Sequence, residues 1–214
     1  MDEDLAVIVK NTRKEQIKNF FTKNKIKIYF SLCSIIIILF STFFYFDNIK
    51  RQKIEIANKF IQASTNFDAE NKQYYLKQFS EIIDSHDSTY APLALFFLID
   101  NNVLNSNEEI NRLFDQVINN TSLKREIKNL IIYKKALINA DYQSEDKMIE
   151  ILQSLNNSES IWKLHSLLLL GDYFLSRGEK EKAKDYYSQI LISQKTNENI
   201  FNQVQLRIRR NFGE

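Results

Sequence analysis

Glycine, proline and cysteine are scarce in this sequence. Its 214 residues contain three glycines, one proline (Pro92) and one cysteine (Cys33). A β-sandwich or a Rossmann-type fold needs many more turn and phosphate-loop glycines, so the composition favours helices and excludes a glycine-rich nucleotide site. Cys33 has no second cysteine to pair with, which excludes an internal disulfide and a paired-cysteine metal site.

Histidine is nearly as rare, with two residues in the sequence. One of them is the basis of an alternative function as an enzyme. His86 lies between Ser85 and Asp87, so a membrane-bound hydrolase that uses these residues is a remote alternative. Adjacent side chains rarely converge on one reacting atom, and a loop with capping serine and aspartate is the preferred interpretation. His165, beside Trp162, is interpreted as a packing or partly solvated histidine, with a catalytic base or a ligand as the alternative. No catalytic residue, cofactor site or metal site is predicted.

The chain also lacks a strong charge of one sign. Residues 1–27 carry seven bases and four acids, and the remainder carries 22 bases and 23 acids. A nearly neutral domain lacks the electrostatic footprint of a nucleic-acid binder. The basic cluster of Arg207, Arg209 and Arg210 is interpreted as a solvated helix end, with contact to phosphate or anionic lipid as the alternative.

One long uncharged run contrasts with this polar background. Residues 28–46 are 19 consecutive residues without a charged side chain. As a helix they would be about 28 Å long, close to the ~30 Å hydrocarbon core of a bilayer. The alternative, a cleaved signal peptide, typically has an apolar region of about 7–15 residues followed by small residues. This run ends instead in the aromatic residues 43–46, which suit a membrane interface, so an uncleaved anchor is predicted.

Flanking charge predicts how the anchor is oriented. Residues 8–27 contain seven Lys or Arg, and residues 47–66 contain four. The more basic side stays in the cytoplasm. The predicted order is a basic cytoplasmic segment, residues 1–27, a transmembrane helix, residues 28–46, and a domain across the membrane, residues 47–214. The inverse topology is the alternative, because the two flanks differ by only three bases.

Apolar periodicity predicts helices after the anchor. The stripe of Ala183, Tyr186, Tyr187, Ile190 and Leu191 is typical of an amphipathic helix. The predicted helices are 50–66, 70–84, 89–101, 107–119, 122–139, 144–154, 159–176, 180–193 and 197–210. Their short connections imply antiparallel hairpins stacked side by side. The predicted fold class is all-α, with a single N-terminal transmembrane helix followed by a solenoid of helical hairpins.

The segment 167–190 matches the tetratricopeptide (TPR) repeat pattern. The residues expected to pack within this repeat are Leu170, Gly171, Phe174, Gly178, Ala183, Tyr187 and Ile190. Gly171 is expected to allow close helix approach, and Gly178 to adopt the left-handed conformation that ends the first helix. Lys195 occupies the place of the proline that closes the pattern, and the upstream repeats are degenerate. An ordinary helical bundle is therefore the alternative to a TPR-like solenoid.

Three residues are candidates for partner binding. Tyr142 and Tyr186 are aromatic residues of the kind that dominate interaction surfaces. Aromatic residues at helical spacing more often form the core between helices, which is the competing interpretation. Asp172 follows Gly171 in the repeat and is interpreted as an exposed or capping carboxylate, with a partner contact as the alternative.

Taken in chain order, these features resemble the YfgM-type family, the ancillary subunits of the bacterial Sec translocon. The resemblance rests on the acidic start at residues 2–5, the basic stretch 13–27, the single span, and the segments 88–94 (STYAPLA) and 169–174 (LLGDYF). It implies a bitopic inner-membrane protein with its TPR-like domain in the periplasm. The implied partners are Sec translocon subunits and a membrane-anchored periplasmic chaperone of the prolyl-isomerase type.

The resemblance predicts a membrane-anchored protein-interaction scaffold that links secretion to periplasmic chaperones. Neither a small-molecule substrate nor a nucleic acid is expected. The alternative function is a TPR-like envelope scaffold for cell division or envelope assembly, which would share every sequence feature and differ only in its partner.

Overall fold

The computed structural model describes residues 2–193 and 198–213, with side chains from residue 18 onward except that of Ile28. In this part of the chain every regular element is a helix and no strand is present. The all-α prediction is therefore confirmed. Lys195 and the side chains of Lys10, Arg13 and Lys14 lie outside the described residues.

The chain divides into two compact units, residues 1–55 and 56–214. A single helix, α1 (Asp2–Thr65), contributes residues to both units. The predicted anchor and the predicted helix at 50–66 are thus parts of one helix. Residues 47–49 contain no glycine or proline to break it, and Arg51 Nε donates to Asp47 Oδ2 at 2.7 Å across one helical turn.

Within α1, the segment Tyr29–Thr65 is long and apolar enough to cross a membrane. None of the residues in its most apolar window is buried by the rest of the protein. A signal sequence near an N-terminus meets the same criterion of length and composition. This part of the chain could therefore span a bilayer.

The second unit contains the shorter helices. A one-turn 3₁₀ helix (Ala69–Asn71) precedes α2 (Lys72–Asp84), α3 (Tyr90–Asp100), α4 (Asn107–Asn120), α5 (Arg125–Asn139), α6 (Glu145–Asn156), α7 (Lys163–Ser176), α8 (Lys180–Leu191) and α9 (Glu198–Phe212). Two of them begin later than predicted. Residue Lys124 is extended, with φ −61° and ψ 142°, so α5 begins at Arg125 rather than at residue 122. The Ser160 hydroxyl accepts a hydrogen bond from the Trp162 N–H in a turn that delays α7 to Lys163.

Two apolar clusters form the core of the second unit. The first extends from the end of α1 to α5 and includes Phe79, Leu95 and Phe114. The second extends from α5 to α9 and includes Phe174 and Tyr187. Ile132 of α5 packs against both clusters, so the core is continuous along the stack. From α2 to α9, each helix contacts the next one in the chain, as in a solenoid whose repeats bury their faces against one another.

Candidate functional site

The α7–α8 hairpin contains the predicted repeat residues. Leu170, Phe174, Ala183, Tyr187 and Ile190 are all buried in the second cluster. The backbone of Gly171 lies against the ring of Tyr187. A Cβ at Gly171 would lie 2.4 Å from Tyr187 Cε1 and 2.7 Å from Cδ1, closer than any real contact. The absence of a side chain at this position therefore determines how closely α7 and α8 pack.

Residue Gly178 ends α7 in a left-handed conformation, with φ +79°. Its N–H donates to the Leu175 carbonyl at 3.1 Å, and the N–H of Glu179 donates to the Phe174 carbonyl at 2.9 Å. This pair of bonds is the Schellman motif. Asn102, at φ +50°, closes α3 with the same pair of bonds. Asn102 thus adopts the left-handed conformation that glycine adopts in the α7–α8 hairpin. This explains how an upstream repeat ends its first helix without a glycine.

His86 occupies the equivalent left-handed position after α2, at φ +53°. Its neighbours stabilise the turn between helices. The Ser85 hydroxyl donates to the Ile82 carbonyl, and the Asp87 carboxylate accepts from the N–H groups of Thr89 and Tyr90, both at 2.8 Å. In the described structure no hydrogen bond joins the side chains of Ser85, His86 and Asp87 into a catalytic relay. Ser85 and Asp87 therefore bind backbone groups at the turn between α2 and α3, in agreement with the capping interpretation.

Asp172 is engaged by groups of its own chain. Arg207 of α9 holds both carboxylate oxygens, with Nε 2.6 Å from Oδ1 and Nη2 2.9 Å from Oδ2. The Tyr187 hydroxyl of α8 donates to Oδ1 at 2.6 Å. Burial and the hydrogen bond to Asp172 raise the pKa of Tyr187 above its usual range. Asp172 thus links α7, α8 and α9, and sequence reasoning predicted neither this link nor the part that Arg207 takes in it.

The Tyr186 ring is half-buried on α8. It stacks on Phe174, with ring centroids 5.4 Å apart and planes 5° from parallel. Lys182, one turn earlier, places its Nζ 5.1 Å from the centroid of Phe174 and pairs with Glu145 of α6 at 2.7 Å. Burial, followed by the charge of Glu145, raises the pKa of Tyr186. Tyr186 therefore contributes to hairpin packing as well as to the surface.

Tyr142 lines a groove of about 520 Å³, which we call the α4–α6 groove. The lining residues are Asn107, Glu108, Asn111, Asp115 and Ile118 of α4, Ile132, Lys135 and Asn139 of α5, Tyr142 and Gln143 of the following turn, and Lys147, Glu150 and Ile151 of α6. Tyr142 is 38% exposed. Tyr142 therefore faces a cavity of the size typical for ligand sites, about 300–1,000 Å³.

The floor of the groove contains two polar side chains beside the apolar Ile118, and sequence reasoning missed them. Asn139 is 1% exposed and Lys135 is 8% exposed. Asn139 and Asn111 exchange two amide hydrogen bonds, at 2.8 and 3.0 Å, and Lys135 Nζ lies 2.6 Å from Asp115 Oδ1. The sequence contained one indication of these contacts, namely a lysine and an asparagine one turn apart on the packed side of α5. The tertiary structure shows which residues of α4 they bind.

A second surface feature joins α5 to the start of α7. Tyr133 and Trp162 stack with ring centroids 5.5 Å apart, and His165 lies 5.9 Å from Tyr133 and 5.4 Å from Trp162. Burial lowers the pKa of His165, which favours the neutral imidazole. The neighbouring Ile161 is 70% exposed. His165 therefore packs in an aromatic cluster beside an exposed apolar side chain.

No group of three or more His, Cys, Asp or Glu side chains that could hold a metal ion is present in the part of the chain that the structure describes. The groove, the aromatic cluster and the Asp172 network instead present hydrogen-bonding, aromatic and charged groups. These are the chemical features of protein-interaction surfaces.

Comparison with protein families matches residues 18–210 to the tetratricopeptide repeat-like domain. No curated protein and no solved structure matches the chain. A TPR-like fold is typical of non-enzymatic interaction scaffolds and implies protein partners, because its stacked repeats form extended binding surfaces. The match covers most of the chain and agrees with the stacked hairpins and the Gly171 and Gly178 geometry. The chain therefore belongs to the tetratricopeptide repeat-like domain family.

Proposed function

We propose that this protein is a membrane-anchored scaffold that binds other proteins in the bacterial envelope. The observation that carries the proposal is the combination of one apolar helix long enough to cross a bilayer with a TPR-like domain. Residues 28–46 are the anchor in this proposal, residues 1–27 lie in the cytoplasm, and residues 47–214 lie in the periplasm. The excess of basic residues before the anchor supports this orientation.

The proposed partners are Sec translocon subunits and a membrane-anchored periplasmic chaperone of the prolyl-isomerase type. Support for these partners comes from the resemblance of residues 88–94 and 169–174, and of the order of segments, to the YfgM-type family. The scaffold would link secretion to folding in the periplasm. A tether raises the local concentration of the domain near the translocation exit, so individually weak contacts suffice.

In-cell photocrosslinking tests the proposed partners. A photoreactive amino acid replaces Tyr142 in the groove, or Ile161 beside the aromatic cluster, in the full-length chain. Both positions are exposed, so the probe does not displace core packing. Mass spectrometry of the captured proteins is expected to identify translocon subunits and periplasmic chaperones.

The matched control carries the same probes together with Ala183→Asp. Ala183 is fully buried between α7 and α8, so an unpaired carboxylate there should unfold the hairpin. Specific captures should disappear in this control. Capture of cell-division or cell-wall proteins in place of translocon subunits would reassign the scaffold to envelope growth.

A further inference from the structure

The α4–α6 groove has an exposed rim and a buried floor. Glu108, Asp115, Tyr142, Lys147 and Glu150 on its rim are exposed, whereas the floor residues Lys135 and Asn139 are buried. A groove of about 520 Å³ that opens to solvent along its rim can admit a length of polypeptide. The family of this domain implies that its ligands are proteins.

The floor offers hydrogen-bonding groups in fixed positions. The amides of Asn111 and Asn139 hold each other through two hydrogen bonds, and Asn139 Nδ2 also donates to the Lys135 carbonyl at 2.7 Å. Each amide oxygen retains a second lone pair, and an ammonium group has three donors, of which Lys135 directs one to Asp115. The remaining acceptor lone pair of Asn111, which is partly exposed, suits a backbone N–H of an extended peptide.

The charges around the groove favour a cation. Three carboxylates and two lysines line it. Lys135 pairs with Asp115 at 2.6 Å and Lys147 pairs with Glu150 at 2.9 Å. Among the described ion pairs and hydrogen bonds, Glu108 has no side-chain partner, so its carboxylate can accept an ion pair from a ligand at the rim.

An aromatic ring lies within electrostatic reach of that carboxylate. The Tyr142 hydroxyl lies 3.5 Å from Asn111 Nδ2, and Asn111 follows Glu108 by three residues on α4, so it lies on the same face of that helix. Glu108 and Tyr142 both line the groove. A groove lined by a carboxylate and an aromatic ring is suited to a lysine or arginine side chain, because it offers an ion pair and a cation–π contact together.

We propose that the α4–α6 groove binds an extended peptide segment of a protein partner and receives a lysine or arginine of that segment between Glu108 and Tyr142. The proposal rests on the proposed function as a protein-binding scaffold, and it names the chemistry of the bound segment. In this arrangement the amide oxygen of Asn111 accepts a backbone N–H of the segment, and Glu108 provides the selectivity for a basic side chain.

Peptide binding to the full-length chain in lipid nanodiscs tests this proposal. The probes are four fluorescein-labelled decapeptide mixtures with a central Lys, Arg, norleucine or Glu, and with Ala, Ser and Val at the other positions. Fluorescence anisotropy is expected to show Lys and Arg mixtures binding about fivefold tighter than norleucine, the size expected for one exposed ion pair plus a cation–π contact. The Glu mixture should bind most weakly.

The decisive variants change only the rim charge. Glu108→Gln should abolish the tighter binding of the Lys and Arg mixtures. Glu108→Lys should make the Glu mixture the tightest binder. The control is Glu181→Gln, because Glu181 is also an exposed acid in the first turn of a helix but does not line the groove. Circular dichroism confirms that each variant is folded.

The proposal is overturned if no mixture binds, if all mixtures bind alike, or if the preference survives in Glu108→Gln. Any of these results would exclude the proposed peptide site alone. The proposed scaffold function would still be supported if translocon subunits are captured in cells. The opposite result is also informative. If the groove selects basic peptides but no translocon subunit is captured in cells, the proposed Sec partners are wrong and the proposed peptide site in the groove stands.

Discussion

At the scale of single residues, Gly171 is the position least able to accept a side chain. We predict that Gly171→Ala lowers the free energy of unfolding by about 1–2 kcal/mol. Overpacking against the buried Tyr187 ring costs about 1–3 kcal/mol, and the better helix propensity of alanine returns up to about 1 kcal/mol. For a domain of this size the melting temperature should fall by about 2–4 °C per kcal/mol.

Two controls separate the steric cause of this loss from a backbone cause. In a Tyr187→Leu background the cost of Gly171→Ala should shrink, because the colliding ring is gone, and an unchanged cost would contradict the packing argument. Gly178 has no atom within 4 Å of an added Cβ but has φ +79°. Gly178→Ala should therefore destabilise through strain alone, by about 1–2 kcal/mol, and Gly178→Asn should be better tolerated.

A second prediction at this scale concerns pH. Burial lowers the pKa of His165 below its ordinary value of 6.5, so the unfolded chain binds the proton more readily than the folded one. The resulting stability is present above the unfolded pKa and is lost as the pH falls through the folded pKa. Thermal unfolding from pH 7.5 downward should thus show a steeper loss for the natural chain than for His165→Phe.

The control for the pH experiment is His86→Asn. Residue 86 is exposed and has φ +53°, a conformation that asparagine tolerates. This variant should retain the pH dependence of the natural chain. Equal slopes for the natural chain and His165→Phe would mean that other groups cause the acid sensitivity.

At the scale of elements, the docking of α9 depends on the Asp172 network. We predict that Asp172→Ala lowers the free energy of unfolding by roughly 1–2 kcal/mol, because it removes charge-assisted hydrogen bonds to Arg207 and leaves the Tyr187 hydroxyl without its acceptor. Amide hydrogen exchange should accelerate in residues 198–212 more than in α2 to α4.

A double-mutant cycle with Arg207→Met measures the coupling, which should be about 1 kcal/mol. The Lys147–Glu150 pair is the comparison, because it lies within one exposed helical turn. Glu150→Gln should change stability by at most about 0.5 kcal/mol. Uniform exchange across the domain in Asp172→Ala would contradict a local role for the network.

The elements themselves were largely predictable. Helices α2 to α4, α6 and α8 begin and end within a few residues of the periodicity-based ranges. The late start of α7 was not predictable, because the turn before it has a partner from elsewhere in the fold. Ser160 donates to Glu126 Oε2 at 2.6 Å, a contact between residues that are 34 positions apart.

At the scale of the whole molecule, the proposed topology predicts which residues a membrane-impermeant maleimide reaches. In a Cys33→Ser background, Asn157→Cys should be labelled in cells whose outer membrane is permeabilised, because Asn157 is an exposed residue of the proposed periplasmic domain. Asn19→Cys, exposed in the proposed cytoplasmic segment, should be labelled only after the inner membrane is lysed. The natural Cys33 should resist labelling until detergent is added.

The reverse pattern for the two asparagine positions would establish the inverse topology. Labelling of both positions in unlysed cells would remove the transmembrane anchor from the proposal. Gel-shift detection of the labelled chain gives the labelled fraction for each variant directly.

The helical class, the apolar run at residues 28–46 and the position of the α7–α8 repeat follow from the sequence alone. These depend on local properties: the period of apolar residues, the scarcity of glycine and proline, and two glycines at the places that a hairpin requires. The role of Asp172, whose partner Arg207 lies 35 positions away, is seen only in the folded chain, and so is the pairing of Asn111 with Asn139, 28 positions apart, in the groove. Such contacts depend on how the helices pack, which local sequence periodicity does not specify.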